Sequence, residues 1–212
     1  MSPGTATRPY AGISAEQRHR ERRERLLEAG LELLGTDGWS ATTVRAVCAK
    51  AGVTERYFYE SFDGRDALLL AVFDSAAEEA LGSALRAAAA APHDAREKAR
   101  AAIGAIVELI AGDPRKGRVL FIEAMGSEAL IKRRLETLGS VAELIGEQAR
   151  DFYGDDAPSP QDIALTAHAL AGAVFELLLA WMRGTLDVPP QRLIDHSTEL
   201  FVAAAGLKSG DG

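Results

Sequence analysis

Aromatic residues make up only 6% of the 212-residue chain, and it contains a single cysteine, Cys48. One cysteine excludes an intramolecular disulfide, which fits a reducing, cytoplasmic location. No uninterrupted apolar run reaches the roughly 18 residues that a membrane-spanning helix needs. The N-terminal stretch also lacks the apolar core of a secretory signal. We therefore expect neither a membrane anchor nor an exported protein.

Motifs of common catalytic and metal sites are also absent from the sequence. The chain has no Gly-rich phosphate loop, no His-x-x-x-His pair, no cysteine cluster and no Gly-x-Ser-x-Gly elbow. This pattern favours a protein that is not an enzyme and that needs no metal or cofactor. A helical protein-binding adaptor and a small enzyme remain the alternative interpretations, and neither requires DNA.

Alanine dominates the apolar residues, and alternating strand patterns are scarce, so the chain is predicted to be all-α. Gly, Pro and capping residues separate the predicted helices. Six of these cover about 15–36, 55–61, 94–111, 128–153, 160–184 and 190–207, with a short helix after Pro114. A further helix of about two turns is capped by Thr42 or Thr43 and broken by Gly52, and a long one opens at Asp63 or Gly64 and ends at Pro92. Gly38 suits a left-handed position at the end of the first helix.

Charge is distributed unevenly along the chain, which has a net charge of −7. Residues 1–65 carry ten Lys and Arg against nine Asp and Glu, whereas residues 66–212 carry 14 against 22. Six Arg and three Glu fall within residues 8–25. An acidic body with a basic front end suggests an anionic partner at the front. Mixed Arg and Glu on a helix are more often an ordinary solvated face.

The string AGVTERYFYESF, residues 51–62, concentrates aromatic residues in one place. Two short predicted helices meet at Gly52, as in a helix-turn-helix, whose second helix enters the major groove. At about 100° per residue, three consecutive aromatics cannot all point inward. We therefore expect Phe58 and Phe62 to be buried and Tyr57 and Tyr59 to face outward. A plain helical hairpin within a core is the alternative.

The segment RRERLLEAGLELLGTDGWSATTVRAVCAKAGVTERYFYESFDGRDALLLAVFD, residues 22–74, resembles the TetR (tetracycline-repressor-like) family of transcriptional regulators. The shared pattern is a helix ending in Gly plus an aromatic, Thr-Thr-Val, Ala-Gly-Val-Thr and a Tyr-containing helix that ends in Phe. The rest of the chain matches only in length and helical content. The resemblance implies an N-terminal three-helix domain with a helix-turn-helix, followed by a C-terminal helical ligand-binding and dimerisation domain. Its predicted bounds are a flexible tail at 1–14, the DNA-binding domain at 15–64, the second domain at 65–207 and a tail at 208–212.

The resemblance also implies which residues meet double-stranded DNA. Phosphate contacts set the register, and base contacts specify the sequence. Base edges are expected at Arg56 and Tyr57, a phosphate contact at Tyr59, and further DNA contacts at Thr43, Arg45, Thr54 and Arg65. Glu55 departs from the family, which often has Lys there. It is either a specificity residue that accepts from cytosine or a helix-start stabiliser that points away.

The helix predicted at 160–184 is apolar nearly all round, which is typical of a helix buried on every side, with one face on its own domain and the other on a second copy. Together with the last helix it resembles the family's dimerisation helices, and a monomeric bundle is the alternative. The residues predicted to form the homodimer interface are Leu170, Val174, Leu178, Leu193 and Leu200. A dimer would read a palindromic operator, and a small apolar effector would release it.

The effector pocket is predicted among bulky residues of the middle helices, because Met and aromatic side chains suit adaptable apolar sites. The chosen residues are Phe121, Met125, His168 and Phe175, and Glu123, if buried, could orient a polar ligand group. A histidine such as His168 on an apolar helix is more often a core residue than a ligand contact. The effector itself and the operator sequence are not identified by the sequence.

Overall fold

The computed structural model describes residues 14–205, which are helical apart from their connections. The bounds are α1 Ala15–Thr36, α2 Val44–Ala51, α3 Glu55–Tyr59, α4 Arg65–Ala90, α5 Ala95–Gly112, α6 Pro114–Gly117, α7 Glu128–Tyr153, α8 Pro160–Met182 and α9 Pro190–Ala205. The chain continues from α6 through a π-helical turn, Arg118–Ile122, and a 3-10 turn, Glu123–Met125. No strand occurs within the described range, so the all-α prediction is confirmed.

The predicted helix bounds agree closely with these, and α1 and α7 match at both ends. The third helix is shorter than predicted and ends at Tyr59. The helix predicted after Pro114 is instead three consecutive segments with different hydrogen bonding. The predicted tails at 1–14 and 208–212, apart from Ser14, and the last two residues of the final predicted helix lie outside the described residues.

The first three helices pack around Leu26, Leu34, Val47 and Phe58, all of which are fully buried. Thr43 caps α2 by accepting from the amide of Ala46 at 3.2 Å. α2 ends at Gly52, whose φ of 64° gives the left-handed turn into α3 that glycine tolerates best. Apolar residues facing inward from α2 and α3 therefore fix the angle between the two helices.

The remaining helices form the body, in which α4 packs on α5, α5 on α9 and α7 on α8. A single cluster of buried apolar residues runs from Leu26 and Phe58 through Phe73 and Val107 to Leu193. A second, small cluster of alanines lies between α7 and α8. The first cluster includes residues on both sides of position 64, so the core has no break there. The predicted domain boundary at residue 64 therefore stays a prediction.

One face of α8 is buried in the single chain, and the other face, which is expected to pack on a second copy, is exposed. Leu165 is 72% exposed, and Ala164, His168, Ala169 and Gly172 are also exposed. Within the described residues, α8 is the one helix long and apolar enough to cross a membrane, with a mean hydropathy of 1.9 over its most apolar stretch. Thr166, His168 and Glu176 interrupt its apolar sequence, and the core helix of a soluble protein has the same length and composition.

Candidate functional site

The outward face of α3 carries the side chains predicted to read DNA. Tyr59 is 57% exposed and Tyr57 is 37% exposed, whereas Phe58 and Phe62 are buried. The edge-to-face contact between the rings of Phe58 and Tyr59, 5.4 Å apart, helps to hold Tyr59 in place. The predicted division of the aromatic string into inward and outward residues is therefore confirmed.

Charged neighbours orient the side chains on this face. The Nε of Arg56 lies 3.4 Å from Oε1 of Glu60 one turn later, in an ion pair on the surface. Arg22 of α1 lies over the ring of Tyr57, with its guanidinium carbon 4.3 Å from the ring centroid. Glu55 is exposed in the first turn of α3, where a carboxylate favours the helix dipole. Sequence reasoning missed Arg22, since only the fold brings α1 beside α3.

The start of α2 adds two exposed side chains near the same surface. Thr43 uses its Oγ1 to cap the helix but keeps its hydroxyl hydrogen available for donation. Arg45 is exposed in the first turn. Thr54 stands at the N-cap of α3 without a capping hydrogen bond from its side chain, so its hydroxyl is not used by the helix.

Arg65 differs from the other predicted DNA contacts because it is turned into the protein. Its guanidinium donates to the carbonyl oxygen of Trp39. The guanidinium carbon also lies over the ring of Trp39, 4.3 Å from the ring centroid. Its Nε is buried without a hydrogen-bond partner. Arg65 therefore braces the turn between α1 and α2.

Trp39 also connects this turn to the body of the protein. Its amide donates to Oε2 of Glu123 at 2.9 Å, and Nε of Arg118 donates to the other oxygen of that carboxylate, also at 2.9 Å. Arg118 also donates to the carbonyl oxygen of Thr36 at 2.6 Å. A Cβ on Gly38, whose φ is 85°, would lie 3.2 Å from both oxygens of Glu123. The buried Glu123 is thus a link between two parts of the fold and is not free to orient a ligand, as the sequence had suggested.

A second connection lies at Arg115, between α1 and α6. Its guanidinium donates to Asp113, Glu28 and Glu32, with distances of 2.8 to 2.9 Å. Hydrogen bonds to Asp113 and then to Glu28 raise the pKa of Arg115, and hydrogen bonds from Lys50 and then Arg115 lower the pKa of Glu32. The two turns around Pro114 and Glu123 therefore dock α1 onto the body.

The body contains a cavity of about 790 Å³ between α4, α5, α7 and α8. Most of its wall is apolar, with the rings of Phe121 and Phe175 in contact 5.0 Å apart at one end and Phe152 at another part of the wall. The volume falls in the range of small-molecule sites. Burial raises the pKa of the Asp74 carboxyl in this wall, and the nearby Arg133 opposes that effect.

Two of the four residues predicted for the pocket line this cavity, Phe121 and Phe175. The other two are not part of its wall. Met125 is 49% exposed, and its Sδ accepts a hydrogen bond from Arg134 at 3.2 Å. His168 lies on the exposed face of α8, and its Nδ1 is 2.9 Å from the carbonyl oxygen of Ala164. Neither interpretation of His168, as a core residue or a ligand contact, matches this position.

The residues predicted for the dimer interface lie mainly inside the single chain. Leu170, Leu178 and Leu193 are buried in it, and Val174 and Leu200 are half-buried. The surface of α8 that is available to a second copy is a different one, formed by Ala164, Leu165, His168, Ala169 and Gly172. We call these five residues the α8 face. The helical period alone could not separate it from the inward side, because both sides of α8 are apolar.

The described residues offer little chemistry of other kinds. In the range 14–205, no group of three or more His, Cys, Asp or Glu side chains is arranged to hold a metal ion. Burial raises the pKa of the Cys48 thiol, with a smaller contribution from Glu55, and this disfavours the nucleophilic thiolate. The features that stand out are thus an exposed recognition helix, a helical body and a cavity within it.

A helix-turn-helix domain docked on an all-helical body defines the class of this protein. Residues 26–72 match the family model described as bacterial regulatory proteins, tetR family. The match covers the helix-turn-helix and its flanking helices, so this N-terminal segment is similar to the DNA-binding segment of that family. No curated protein matches the chain in sequence.

Solved structures of regulators share the whole fold. The fatty acid degradation regulator FadR from Bacillus halodurans is 17% identical, with 89% of this chain and 97% of that chain covered at a TM-score of 0.73. A protein of Pseudomonas aeruginosa PAO1, assigned as a transcriptional regulator, is 25% identical over 93% and 95% of the two chains at 0.71. FadR from Bacillus subtilis, solved in complex with stearoyl-CoA, is 17% identical over 85% and 98% at 0.72. The body of this chain therefore has the fold of transcriptional regulators as well.

Proposed function

We propose that the protein is a sequence-specific transcriptional repressor, which binds a palindromic operator as a homodimer in the cytoplasm and is released by a small effector. The observation that carries the DNA-binding role is the outward face of α3. Arg56, whose side chain is 85% exposed, and the two outward tyrosines project from a short helix whose other side is buried. A helix held in this way can enter a major groove without unfolding any part of the domain.

The individual contacts follow from the chemistry of these side chains. Arg56 suits the two acceptors of guanine, and the ring of Tyr57 suits the methyl group of thymine. Tyr59, Thr54, Thr43 and Arg45 donate to phosphates from the exposed surface. Glu55 stabilises the start of α3 and does not read bases. Arg65 acts on DNA only indirectly, since its guanidinium holds Trp39 in the turn between α1 and α2.

Arg56→Ala should weaken operator binding by roughly ten- to hundredfold, because a base contact of this kind contributes about 1–3 kcal/mol. Tyr59→Phe removes one phosphate donor and should weaken binding about threefold to tenfold. The affinities are measured by fluorescence anisotropy on an operator fragment recovered by selection of genomic DNA. Arg192→Ala, which removes an exposed charge of α9, is the matched control and should bind as the parent does. If both α3 variants bind with parental affinity, the recognition helix is wrongly assigned.

A second copy of the chain is the proposed partner of the α8 face. Leu165 is the most exposed of the large apolar side chains in the described residues. A Cβ added to Gly172 would meet nothing within 4 Å, so this part of the helix is open to close approach by another helix. Small residues flanking an exposed leucine favour helix-on-helix packing about a two-fold axis. The dimer is thus proposed to form through the α8 face. The positions predicted from the sequence, Leu170, Val174, Leu178, Leu193 and Leu200, pack inside each chain and hold α8 and α9 in place.

The cavity of the body is the proposed effector site. Its size and apolar wall fit a small apolar molecule. The FadR relative from Bacillus subtilis was solved with stearoyl-CoA, which has a long apolar acyl chain. At 17% identity that similarity extends to the fold alone, and so the composition of this cavity is the main support.

The route from the cavity to the DNA-binding domain is proposed to run through the irregular turns after α6. Phe121 lines the cavity, and two residues later Glu123 accepts from the amide of Trp39. A π-helical turn followed by a 3-10 turn is the part of this helix most easily rearranged, since its hydrogen bonds are less regular. An effector that displaces Phe121 would move Glu123 and with it the turn before α2.

Glu123→Gln should loosen this link while keeping the volume of the side chain. The amide oxygen can still accept from Trp39, but the ion pair with Arg118 is lost. Hydrogen exchange of the amides around Trp39 should become roughly tenfold faster, since a hydrogen bond to a charged group contributes about 1.5–3 kcal/mol. Glu128→Gln, at an exposed carboxylate of α7, is the control. Unchanged exchange in the Glu123 variant would contradict the proposed route.

A further inference from the structure

We infer that the cavity binds an amphiphile, with a hydrocarbon chain along the apolar wall and an anionic head group against Arg134. This inference rests on the proposed effector site and names the chemical class of its ligand. It is carried by the environment of Arg134 and by the arrangement of charges around the cavity.

Arg134 is a cation of the cavity wall that has no carboxylate partner among the described residues. Its Nε is buried without a hydrogen-bond acceptor, and Nη1 donates only to the sulfur of Met125, which is a weak acceptor. Its guanidinium carbon lies 4.2 Å from the centroid of the Phe175 ring, which holds the planar group at the wall. A buried donor without an acceptor is costly, and a ligand oxygen would satisfy it.

The neighbouring arginine shows the contrast. Arg133 also lines the cavity, but it is paired with Asp74 at 3.2 Å and with Glu136 at 3.5 Å. Its charge is therefore already compensated. A carboxylate or phosphate matches the fork of a guanidinium and forms two parallel hydrogen bonds with it. Arg134 is thus the arginine of this wall that is available to an anion.

Besides the two arginines, the wall carries the charged residues Asp74, Glu78, Lys98, Glu136, Asp151 and Asp162. Asp151 and Asp162 line the cavity toward the C-terminal end of α7 and the N-terminal end of α8, away from Arg134. The head group is expected at Arg134 because its Nε lacks an acceptor, and the chain is expected to run along the apolar wall toward Phe152. Lining residues of α8 extend from Asp162 to Leu178, which at 1.5 Å per residue is about 24 Å. An extended hydrocarbon chain fits such a wall better than a compact ring.

The test is direct binding of laurate to the purified full-length protein, measured by calorimetry below the micellar concentration. Methyl laurate is the uncharged analogue. Arg134→Met should weaken laurate binding by roughly ten- to hundredfold, the equivalent of one charged hydrogen-bonding contact, and should leave methyl laurate binding unchanged. Arg134→Lys keeps the charge without the fork and should lie between. Lys132→Met removes a charge from the exposed side of α7 and should bind as the parent does.

Three results would overturn the inference: no laurate binding by the parent, equal affinity of the parent for laurate and methyl laurate, or equal laurate affinity of Arg134→Met and the parent. Each variant is first checked by circular dichroism, and Arg134→Lys serves if Arg134→Met does not fold. The operator affinity of the parent without any ligand is measured separately. Failure of laurate binding with intact operator binding would remove the ligand class alone, whereas loss of operator binding would remove the proposed regulator.

Discussion

Gly35→Ala should lower the free energy of unfolding by about 1–3 kcal/mol, the usual cost of forcing extra volume into a packed site. A Cβ at this position of α1 would lie 2.5 Å from the Cβ and 2.8 Å from the Cα of Arg115. The backbone of α6 would have to move away from α1. That movement would stretch the hydrogen bonds from Arg115 to Glu28 and Glu32, which hold the DNA-binding domain to the body.

The matched control is Gly139→Ala, a glycine within α7 whose added Cβ would meet nothing within 4 Å. Alanine is the better helix former, so this variant should be more stable than the parent by about 0.5–1 kcal/mol. Both are measured by urea unfolding at one protein concentration, since the proposed dimerisation would make stability concentration-dependent. The account of the α1–α6 contact fails if Gly35→Ala is as stable as the parent or more so.

Leu165→Glu should convert the proposed dimer into a monomer and weaken operator binding by roughly 10²–10⁴-fold, the factor gained when two linked sites bind together. The side chain is 72% exposed in the single chain, so the substitution leaves the chain's own core intact. In the dimer the two-fold axis would bring two new carboxylates into an apolar contact, where unpaired charges are costly. The mass in solution should fall from about twice to once the chain mass of 22.6 kDa.

Leu135→Glu makes the same change at a leucine of α7 that is 59% exposed and outside the α8 face. This control should stay dimeric and keep its operator affinity. Mass is measured by light scattering, and affinity is measured on the same operator fragment as for Arg56→Ala. A dimeric Leu165→Glu variant with parental affinity would show that the α8 face is not the interface.

The helices and the orientation of the recognition helix could be predicted because their signals are local. Capping residues and glycines define α1 and α7 at both ends, and the 100° step per residue alone separates Phe58 from Tyr57 and Tyr59. The DNA contacts expected for Arg56, Tyr57 and Tyr59 came from the resemblance to the TetR family. These predictions required no knowledge of which helix lies beside which.

The long-range contacts could not be predicted, because they join residues far apart in the chain. Glu123 and Trp39 are separated by 84 positions, and neither has a local feature that reveals the other. On α8 the composition is apolar on both sides, so sequence periodicity could not tell inward Leu178 from outward Leu165. The position of Arg134 is defined by its contact with Phe175, a residue 41 positions away on another helix. Sequence reasoning is thus strongest for α3 and weakest for the cavity and the dimer.

Selection of genomic DNA fragments by the purified protein tests the central claim, that this chain is a dimeric reader of one operator. The account predicts enrichment of an inverted repeat, with half-site centres about 34–36 Å apart along the helix, or one turn. The Arg56→Ala variant should lose that enrichment, and Arg192→Ala should keep it. No enriched repeat, or equal enrichment by the parent and Arg56→Ala, would contradict the account.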